Sequence, residues 1–361
     1  MAISDSTSSN QREMTRAVIE ANAIPHVYVI LLNWNGWSDT IECLESLFKL
    51  NYPKFTVIVC DNDSSDGSIQ KIEDWACGSL SVFCKNPDIA PLVYPAIPKP
   101  LPFISLSSSN AMNKERSSAR LVLIQTGANL GFAGGNNVGI RYALSCGDCE
   151  YVWLLNNDTV VDRQALSKII EMVEANPELG ICGSQLRNYW KLSDVITVGG
   201  RRYIPWSGRT FPLREATNST ESVSPDYIEG ASMLITRKCL EEVGLLEEGY
   251  FLYYEELDLI HRARIRFRYG FSPKSIVYHK EGASIGTAES RVRRSSLAEY
   301  YQARNRIVFT WKYYPWCLPS VLAVVGVSIV QRTLIARPQN AIAIIRGAFS
   351  GLRCLANRTS P

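Results

Sequence analysis

The sequence has little of several features that would assign a protein to a class at once. Only three of its 361 residues are histidine, and 38 basic residues nearly balance 35 acidic ones, which leaves a net charge of +3. So small an excess gives no basis for a nucleic-acid partner, and we expect none. No apolar run reaches the roughly 18–20 residues that span a bilayer, and residues 1–24 carry no apolar stretch with a cleavage site. We therefore expect a cytoplasmic protein without a membrane-spanning helix.

The ten cysteines also lack a recognisable arrangement. Their spacings form no disulfide framework. The single C-x-x-C pair, Cys146 and Cys149, has no second pair with which to hold a structural zinc ion. Reduced and mostly buried thiols are the expectation, in agreement with a cytoplasmic location.

What the first half of the chain does contain is an alternation of short apolar runs and amphipathic stretches. Nearly continuous apolar runs are typical of parallel strands that are buried on both faces. The predicted strands are 27–33, 56–61, 120–125 and 151–156, and the predicted helices are 38–50, 65–76, 133–145 and 163–175. The pattern predicts an α/β fold in which helices flank a mostly parallel sheet.

Polar residues follow all four predicted strands. In open α/β sheets, ligands bind beyond the carboxyl ends of the strands. A single loop of this kind is more often a solvated turn, but four at one edge predict a ligand site. The segment GANLGFAGGNN at 127–137 lacks the G-x-G-x-x-G spacing after a first strand, which argues against a dinucleotide-dependent oxidoreductase.

A cluster of carboxylates lies further along the chain. Glu255, Glu256 and Asp258 open a predicted helix at 255–269, and His279 ends the strand that follows. The start of a helix favours an ionised carboxylate, as a general base requires. Asp158 supplies a hard oxygen ligand, and together with His279 it suits Mg²⁺ or Mn²⁺ beside a diphosphate. Without such a partner, a histidine after a strand is more often structural.

Seven short motifs occur in a fixed order: NWNGW, CDNDSSDGS, NLGFAGGNN, LLNNDT, GYFLYYEELDL, YHKEGAS and YYQARNR. In this order the sequence resembles the inverting glycosyltransferases of family 2, which have the GT-A fold, and most closely their bacterial rhamnosyltransferase-like branch. The resemblance covers residues 27–313. It implies transfer of L-rhamnose or another hexose from a dTDP-, UDP- or GDP-sugar to a hydroxyl of a glycan or lipid-linked oligosaccharide, in cell-surface polysaccharide synthesis.

The resemblance also implies roles for individual residues. The catalytic base falls on Glu256, where the family usually has Asp, with Glu255 and Asp258 as alternative bases. Asp158 and His279 would bind the Mg²⁺ or Mn²⁺ cofactor, and Asn156 replaces the first Asp of the family's D-x-D step. The residues implied in nucleotide and donor binding are Asn33, Gly36, Asp61, Asp63, Asn129, Gly131, Phe132, Gly135, Asn136, Asn156, Asn157, Arg304 and Arg306.

The expected organisation of the chain follows from the same comparison and from composition. Residues 1–25 are expected to be disordered, and 26–313 to form the GT-A domain, with a nucleotide-binding half at 26–160 and an acceptor half at 161–313. The proline- and serine-rich segment 77–119 is expected to be a long loop insertion. Residues 314–361 are expected to form an amphipathic helical extension. Its apolar stretch 318–330, broken by Pro319 and Gly326, favours a peripheral position on the inner face of the plasma membrane over a spanning helix.

Two other functions remain open at this stage. A sugar-nucleotide nucleotidyltransferase uses a similar fold, but the chain has no early Gly-rich loop with Arg and Lys to hold a triphosphate. An inactive glycosyltransferase-like binding module is the second alternative, because Asn156 and Glu256 depart from the family's commonest residues. A membrane polymerase is disfavoured by the lack of a spanning run.

Overall fold

The structure is a computed structural model that describes residues 24–111, 119–214, 225–281 and 295–356. Twelve strands are present in these ranges. They are β1 (Val27–Asn33), β2 (Phe55–Asp61), β3 (Phe103–Ser107), β4 (Leu121–Gln125), β5 (Tyr151–Asn156), β6 (Thr159–Val161), β7 (Leu179–Asn188), β8 (Val195–Val198), β9 (Arg201–Ile204), β10 (Arg209–Pro212), β11 (Ser232–Thr236) and β12 (Arg268–His279). Of the segment 1–25 that was expected to be disordered, residues 1–23 lie outside the described part of the chain.

Eleven α-helices accompany the strands in the described ranges. They are α1 (Trp37–Leu47), α2 (Ser68–Cys77), α3 (Ala90–Val93), α4 (Ser108–Ala111), α5 (Gly131–Ser145), α6 (Ala165–Glu174), α7 (Arg237–Val243), α8 (Glu255–Ala263), α9 (Ser296–Tyr313), α10 (Leu318–Leu334) and α11 (Pro338–Ala356). Short 3₁₀ turns lie at Glu248–Tyr250 and Pro315–Cys317.

Ten of the strands form one sheet in the order β3-β4-β2-β1-β5-β11-β7-β12-β6, with β8 paired to β7. Only β6, β8 and β11 run against the other strands of this sheet. Strands β9 and β10 form a separate antiparallel hairpin. The predicted α/β fold with a mostly parallel sheet is therefore confirmed, and the four predicted strands coincide with β1, β2, β4 and β5.

Both faces of the sheet are buried, which explains the continuous apolar runs. Along β1, Val27, Val29 and Leu31 pack into one apolar cluster, while Tyr28 and Ile30 pack into the other. Helices α1, α2 and α6 cover the first face, and α5, α7, α8 and α9 cover the second. Alternate side chains of one strand thus point to opposite layers, as the pleat requires.

The segment 77–119 is more ordered than its composition predicted. It contains α3 and α4, and β3 extends the sheet by pairing in parallel with β4. Glu45 of α1 holds the segment through the backbone N–H of Ile97 (2.8 Å) and through Lys99 Nζ (3.1 Å). Because β3 is an edge strand in which only Leu106 is buried, it shows neither a continuous apolar run nor clean alternation. Residues 112–118 lie outside the described part.

Two boundaries in the second half of the chain also differ from expectation. Helix α8 ends at Ala263 rather than at residue 269, and β12 begins at Arg268 and includes Gly270. The helical stretch Pro315–Leu334 is long and apolar enough, by length and composition alone, to cross a membrane, and 22 % of it is buried. The expectation that no stretch reaches this length was wrong, because Pro319 falls in the first turn of α10, where proline is tolerated.

Candidate active site

The carboxyl ends of β1, β2, β5 and β12 meet at one edge of the sheet. The strand register places Asn33 beside Asp61 and Leu32 beside Asn156. Asn33 Nδ2 donates to Asp61 Oδ1 (2.7 Å), and Asn33 Oδ1 accepts from Thr40 Oγ1 (2.8 Å). Asn157 Nδ2 donates to Thr40 Oγ1 (3.0 Å). These buried groups satisfy one another, which fixes the edge on which a ligand would bind.

A small cavity of about 130 Å³ opens at this edge. It brings together seven residues that the sequence singled out. They are Asn129, Gly131, Phe132, Asn156, Asn157, Asp158 and His279. Trp34, Asn62, Phe251 and Leu297 complete the lining together with Leu32 and Leu252. Trp34 was not identified as a binding residue, although its place in NWNGW directly after β1 is a usable signal.

Other residues predicted to bind the donor support this edge from behind. Asn33, Asp61 and Gly36 line neither the small cavity nor the large one described below. Asp61 Oδ2 accepts from the backbone N–H of Ser64 (3.0 Å), and the Gly36 carbonyl accepts from the backbone N–H of Thr40 (3.0 Å). The structure therefore assigns these groups to holding the loops after β1 and β2.

Asp63, Gly135 and Asn136 are likewise absent from both cavity linings. Asp63 is exposed and has a φ of 62°. Asn136 Nδ2 donates to the Phe132 carbonyl within α5 (2.9 Å). A Cβ atom on Gly135 would lie 2.3 Å from Leu32 Cδ1. Gly135 lets α5 pack closely on β1, and donor binding by Asp63, Gly135 and Asn136 stays a prediction.

Asp158 and His279 lie side by side, as the sequence predicted. Thr159 of β6 pairs with His279 of β12, and His279 Nε2 lies 3.1 Å from Asp158 Oδ1. Burial by itself lowers the pKa of His279. The charge of Asp158 and the hydrogen bond to it outweigh burial, with support from Glu229 and Glu281, and raise that pKa to about 8. The two side chains form a polar pair that lines the small cavity.

The residue after His279 anchors this pair from the opposite side. Lys280 Nζ donates to Asp39 Oδ1 (2.6 Å) and to Glu42 Oε2 (2.5 Å) of α1. Its backbone N–H donates to the Asp158 carbonyl (3.1 Å). The buried ion cluster therefore joins the end of β12 to α1, and the backbone of Lys280 joins it to the turn between β5 and β6. Such a cluster is costly to leave incomplete, which fixes the position of His279.

A second, larger cavity of about 680 Å³ adjoins the first. Asn156, His279, Phe132 and Leu252 line both. Glu256 lines only the large cavity, and burial together with the charge of Glu229 raises its pKa to about 7. A Cβ atom on Gly230 would lie 2.5 Å from Glu256 Oε1, so the carboxylate packs directly against this glycine. Glu255 is 1 % exposed, and burial and the charge of Glu256 raise its pKa well above the usual range.

Asp258 is a structural residue in this arrangement. It does not line either cavity and is 0 % exposed. Its Oδ1 accepts from Lys312 Nζ (2.8 Å) and from the Tyr313 hydroxyl (2.7 Å), and its Oδ2 accepts from Arg262 Nε (2.7 Å). Burial would raise its pKa, but these partners outweigh burial and lower it. The prediction of Asp258 as an alternative base is corrected, because the carboxylate ties α8 to α9.

The chain enters α8 through a strained segment. Phe251, Tyr253 and Tyr254 have φ values of 63°, 70° and 77°. Non-glycine residues in this region cost about 1–3 kcal/mol each and persist only where surrounding contacts hold them. Asn305 provides those contacts: its buried Nδ2 is 2.8 Å from the Tyr250 carbonyl, 2.8 Å from that of Leu252 and 3.0 Å from that of Tyr253.

Asn305 lies between two arginines that the sequence assigned to the donor diphosphate. Arg304 Nη1 donates to Asn305 Oδ1 (2.6 Å) and to the Gly249 carbonyl (2.9 Å), and Arg304 lines neither cavity. Arg306 lines the large cavity with Glu256, not the small one with Asp158. Arg304 thus orients the Asn305 amide, and Arg306 lies on the side of the predicted base, while their binding of the donor diphosphate stays a prediction. In the motif ARNR the two arginines suggested phosphate binding, and no role was predicted for Asn305 between them.

Comparison with known proteins places this geometry in a family. The sequence model described as Glycosyl transferase family 2 matches residues 28–86 and 108–242, together more than half of the chain. The chain belongs to glycosyl transferase family 2. The family match omits residues 87–107, which in this glycosyltransferase contain α3 and β3.

Two curated relatives of this family 2 glycosyltransferase are hexosyltransferases by name. The low-salt glycan biosynthesis hexosyltransferase Agl10 of Haloferax volcanii is 29 % identical over 169 residues, which are 44 % of this chain and 51 % of Agl10. The dTDP-rhamnosyl transferase RfbF of Shigella flexneri is 24 % identical over 231 residues, 60 % of this chain and 72 % of RfbF. The chain thus spans about half the length of Agl10.

The fold agrees with that of solved glycosyltransferases. The crystal structure of GalNAc-T7 with UDP, GalNAc and Mn²⁺ is similar with a TM-score of 0.52 at 13 % identity, over 72 % of this chain and 44 % of that protein. This likeness supports the GT-A fold expected from the motif order. It bears on the fold alone, since the identity is low.

Proposed function

We propose that this protein transfers a hexosyl group from a nucleotide sugar to a hydroxyl of a glycan or lipid-linked acceptor, with inversion at the anomeric carbon. The observation that carries the proposal is the junction of the two cavities. Asp158 and His279 line the small cavity, Glu256 lines the large one, and Asn156 and His279 line both. A single in-line displacement needs this order: leaving group on one side, proton acceptor on the other.

Glu256 is the proposed base. In the reaction its carboxylate takes the proton of the acceptor hydroxyl while that oxygen bonds to the anomeric carbon and the nucleoside diphosphate leaves with the bonding electrons. A pKa of about 7 suits a base that works near neutral pH. Glu255 is less suited, because burial and the charge of Glu256 raise its pKa well above the usual range, which disfavours the ionised form. Neither a covalent intermediate nor a second nucleophile is required.

A divalent cation, Mg²⁺ or Mn²⁺, is proposed to bind Asp158 and His279. Asp158 Oδ1 and His279 Nε2 are 3.1 Å apart and both residues line the small cavity, and a carboxylate oxygen with an imidazole nitrogen would suit Mn²⁺. The described residues contain no cluster of three or more His, Cys, Asp or Glu that could hold a metal ion. Oxygens of the nucleotide diphosphate are therefore needed to complete the coordination, and a bound cation would neutralise the charge of the leaving group.

The choice of nucleotide sugar is proposed from the names of the relatives. RfbF is named a dTDP-rhamnosyl transferase, and GalNAc-T7 was crystallised with UDP. We propose dTDP-L-rhamnose as the first donor to test, followed by UDP- and GDP-hexoses. The small cavity, with Trp34, Asn62 and Asn129 in its lining, is the proposed site for the nucleotide.

We further propose that the C-terminal helices rest on a membrane surface. Exposed apolar side chains follow one another on α10, where Val327 is 51 %, Val330 57 % and Leu334 79 % exposed. Trp316 (65 %) and Phe349 (67 %) extend this surface. Apolar helices with aromatic residues at their ends are typical of interfacial attachment. An acceptor carried on a lipid would then reach the large cavity, which residues of α10 help to line.

The direct test is a donor panel. The purified protein is incubated with dTDP-, UDP- and GDP-hexoses in Mn²⁺ or Mg²⁺, and the nucleoside diphosphate released is measured. We expect release from one donor class, faster with acceptor present, and a transferred sugar of inverted configuration by NMR. Retained configuration would overturn the mechanism, and lack of release from every donor would overturn the activity.

A further inference from the structure

Four buried side-chain atoms lack a hydrogen-bond partner among the residues that the structure describes. They are Arg201 Nε, Glu229 Oε2, Glu255 Oε2 and Arg306 Nε. All four side chains line the large cavity. Unpaired buried polar atoms are rare, because each costs about 1–3 kcal/mol. Their concentration in a single cavity indicates that a ligand supplies the missing hydrogen bonds.

The chemistry of these atoms restricts the ligand. Two of them are N–H donors on guanidinium groups, and two are carboxyl oxygens. A hydroxyl group both donates and accepts, so it satisfies either kind. Arg201 and Glu229 also form an ion pair with each other, from Arg201 Nη1 to Glu229 Oε1 (2.8 Å), which leaves one donor and one acceptor on the same pair. Two neighbouring hydroxyls of a sugar ring supply both the acceptor that Arg201 Nε lacks and the donor that Glu229 Oε2 lacks.

The polar groups around the cavity favour a ligand with hydroxyl groups. Five arginines and five glutamates are found in its lining: Arg201, Arg209, Arg214, Arg306, Arg332, Glu229, Glu255, Glu256, Glu281 and Glu299. Arg201 is paired with Glu229 (2.8 Å), and Arg332 with Glu299, with 2.8 Å from Nε to Oε1. A carboxylate beside each of these two guanidinium groups disfavours phosphate or diphosphate there. Many hydrogen-bonding groups of both kinds favour a neutral polyhydroxylated molecule.

We propose that the large cavity binds a neutral sugar residue of the acceptor, that Arg201 and Glu229 bind adjacent hydroxyls of it, and that Glu255 and Arg306 bind a further hydroxyl. This inference rests on the proposed function, whose acceptor it specifies. Glu229 precedes Gly230, the glycine against which Glu256 packs. A sugar held by Glu229 thus presents a neighbouring hydroxyl to Glu256. Arg201 and Glu229 select the acceptor, and Glu256 activates it.

The test separates acceptor binding from donor chemistry. Methyl glycosides of common hexoses serve as neutral probes, and inorganic pyrophosphate serves as the anionic probe. We expect one or more methyl glycosides at saturating concentration to raise the Tm of the protein. Any Tm shift caused by pyrophosphate should be the same in the unaltered protein and in Arg201→Met. The variants Arg201→Met and Glu229→Gln should lose the glycoside shift. Arg237→Met, which breaks the exposed Arg237–Glu241 ion pair outside both cavities, is the matched control and should retain the shift.

The kinetic readout uses the donor that the panel identifies. In Arg201→Met and Glu229→Gln we expect the KM for the glycoside acceptor to rise about tenfold or more, as loss of a charge-assisted hydrogen bond predicts. Slow hydrolysis of the donor by water needs no acceptor sugar, so the ratio of transfer to hydrolysis should fall in both variants. Equal loss of hydrolysis and transfer, or a shift with pyrophosphate that Arg201→Met abolishes, would overturn the inference. If no donor reacts, the proposed function fails, while the Tm shifts still decide whether the cavity binds a neutral sugar.

Discussion

The two cavities differ in how completely their polar groups are satisfied. At the strand edge beside the small cavity, Asn33, Thr40, Asn157 and Asp61 hydrogen-bond to one another. The large cavity instead contains every buried unpaired polar atom found among the described residues. Under the proposed function, the donor side is organised before a ligand arrives, whereas the acceptor side depends on its ligand for several hydrogen bonds. Side chains that are already hydrogen-bonded to one another suit the binding of one kind of ligand, a nucleotide. A cavity with unpaired polar atoms suits an acceptor whose structure varies.

The largest expected effect comes from substituting the proposed base, Glu256. Glu256→Gln removes the proton acceptor while keeping the side-chain shape. We expect transfer to fall about 10²–10⁴-fold, measured as release of nucleoside diphosphate. Binding of the nucleotide, measured by thermal shift, should stay unchanged because Glu256 does not line the small cavity. Undiminished transfer in this variant would remove Glu256 from the mechanism.

Removal of the cation tests the donor side alone. Asp158→Asn, or addition of EDTA to the unaltered protein, should reduce transfer on the order of 100-fold through loss of charge stabilisation on the leaving group. Added Mn²⁺ should restore the EDTA-treated protein but not Asp158→Asn. Full activity in EDTA would show that the Asp158–His279 pair serves a structural purpose.

The strained segment before α8 contains Leu252, which lines both cavities. Its conformation should depend on the hydrogen bonds from Asn305. Asn305→Asp replaces the amide N–H donors with oxygens that face three carbonyls. We expect kcat to fall about tenfold or more, since release of one strained residue is worth about 1–3 kcal/mol. Asn176→Asp is the matched control, because Asn176 Nδ2 also donates to a backbone carbonyl, that of Met172, but lies outside both cavities. Equal loss in both variants would mean a general stability effect.

The pH dependence of kcat/KM should report the ionisation of Glu256. Glu256 must be ionised to act as a base, so activity is present above its pKa and is lost as the pH falls below it. With a pKa of about 7, kcat/KM at saturating donor should decrease about tenfold per pH unit below pH 7 and level off above it. In Glu229→Gln the falling limb should move to lower pH, because the charge of Glu229 raises the pKa of Glu256. A limb that stays in place would assign it to another group.

The smallest expected effect concerns the surface of α10. Val330→Ser removes an exposed apolar side chain (57 %) and should weaken binding to vesicles containing anionic lipid about fivefold. Turnover of a soluble acceptor should not change. Phe83→Ser is the control: Phe83 is 73 % exposed but lies in a different part of the chain, before α3. Equal weakening by both substitutions would contradict attachment through the C-terminal helices.

The donor side was far easier to predict from the sequence than the acceptor side. Strands β1, β2, β4 and β5 are local apolar runs, and parallel strands bring their ends to one edge, so Asp158 and the loop containing Asn129 could be placed there without coordinates. The Asp158–His279 pair was also accessible, because both residues flank strands. Asn305 was not, since its function depends on three carbonyls about 50 residues away in the sequence. Asp258 was assigned to catalysis because its partners, Lys312 and Tyr313, lie in a distant helix.

The three hydrogen bonds from Asn305 Nδ2 to the segment before α8 bear on how much of the chain the candidate active site needs. Asn305 belongs to α9, the first of the three C-terminal helices, and Arg332 of α10 forms an ion pair with Glu299 of α9 while lining the large cavity. A truncation after β12 would therefore leave the strained approach to Glu256 without its support, and a truncation after α9 would open one wall of the acceptor cavity. The C-terminal helices therefore support the candidate active site and also carry the surface proposed to rest on the membrane, so a truncation would disturb both.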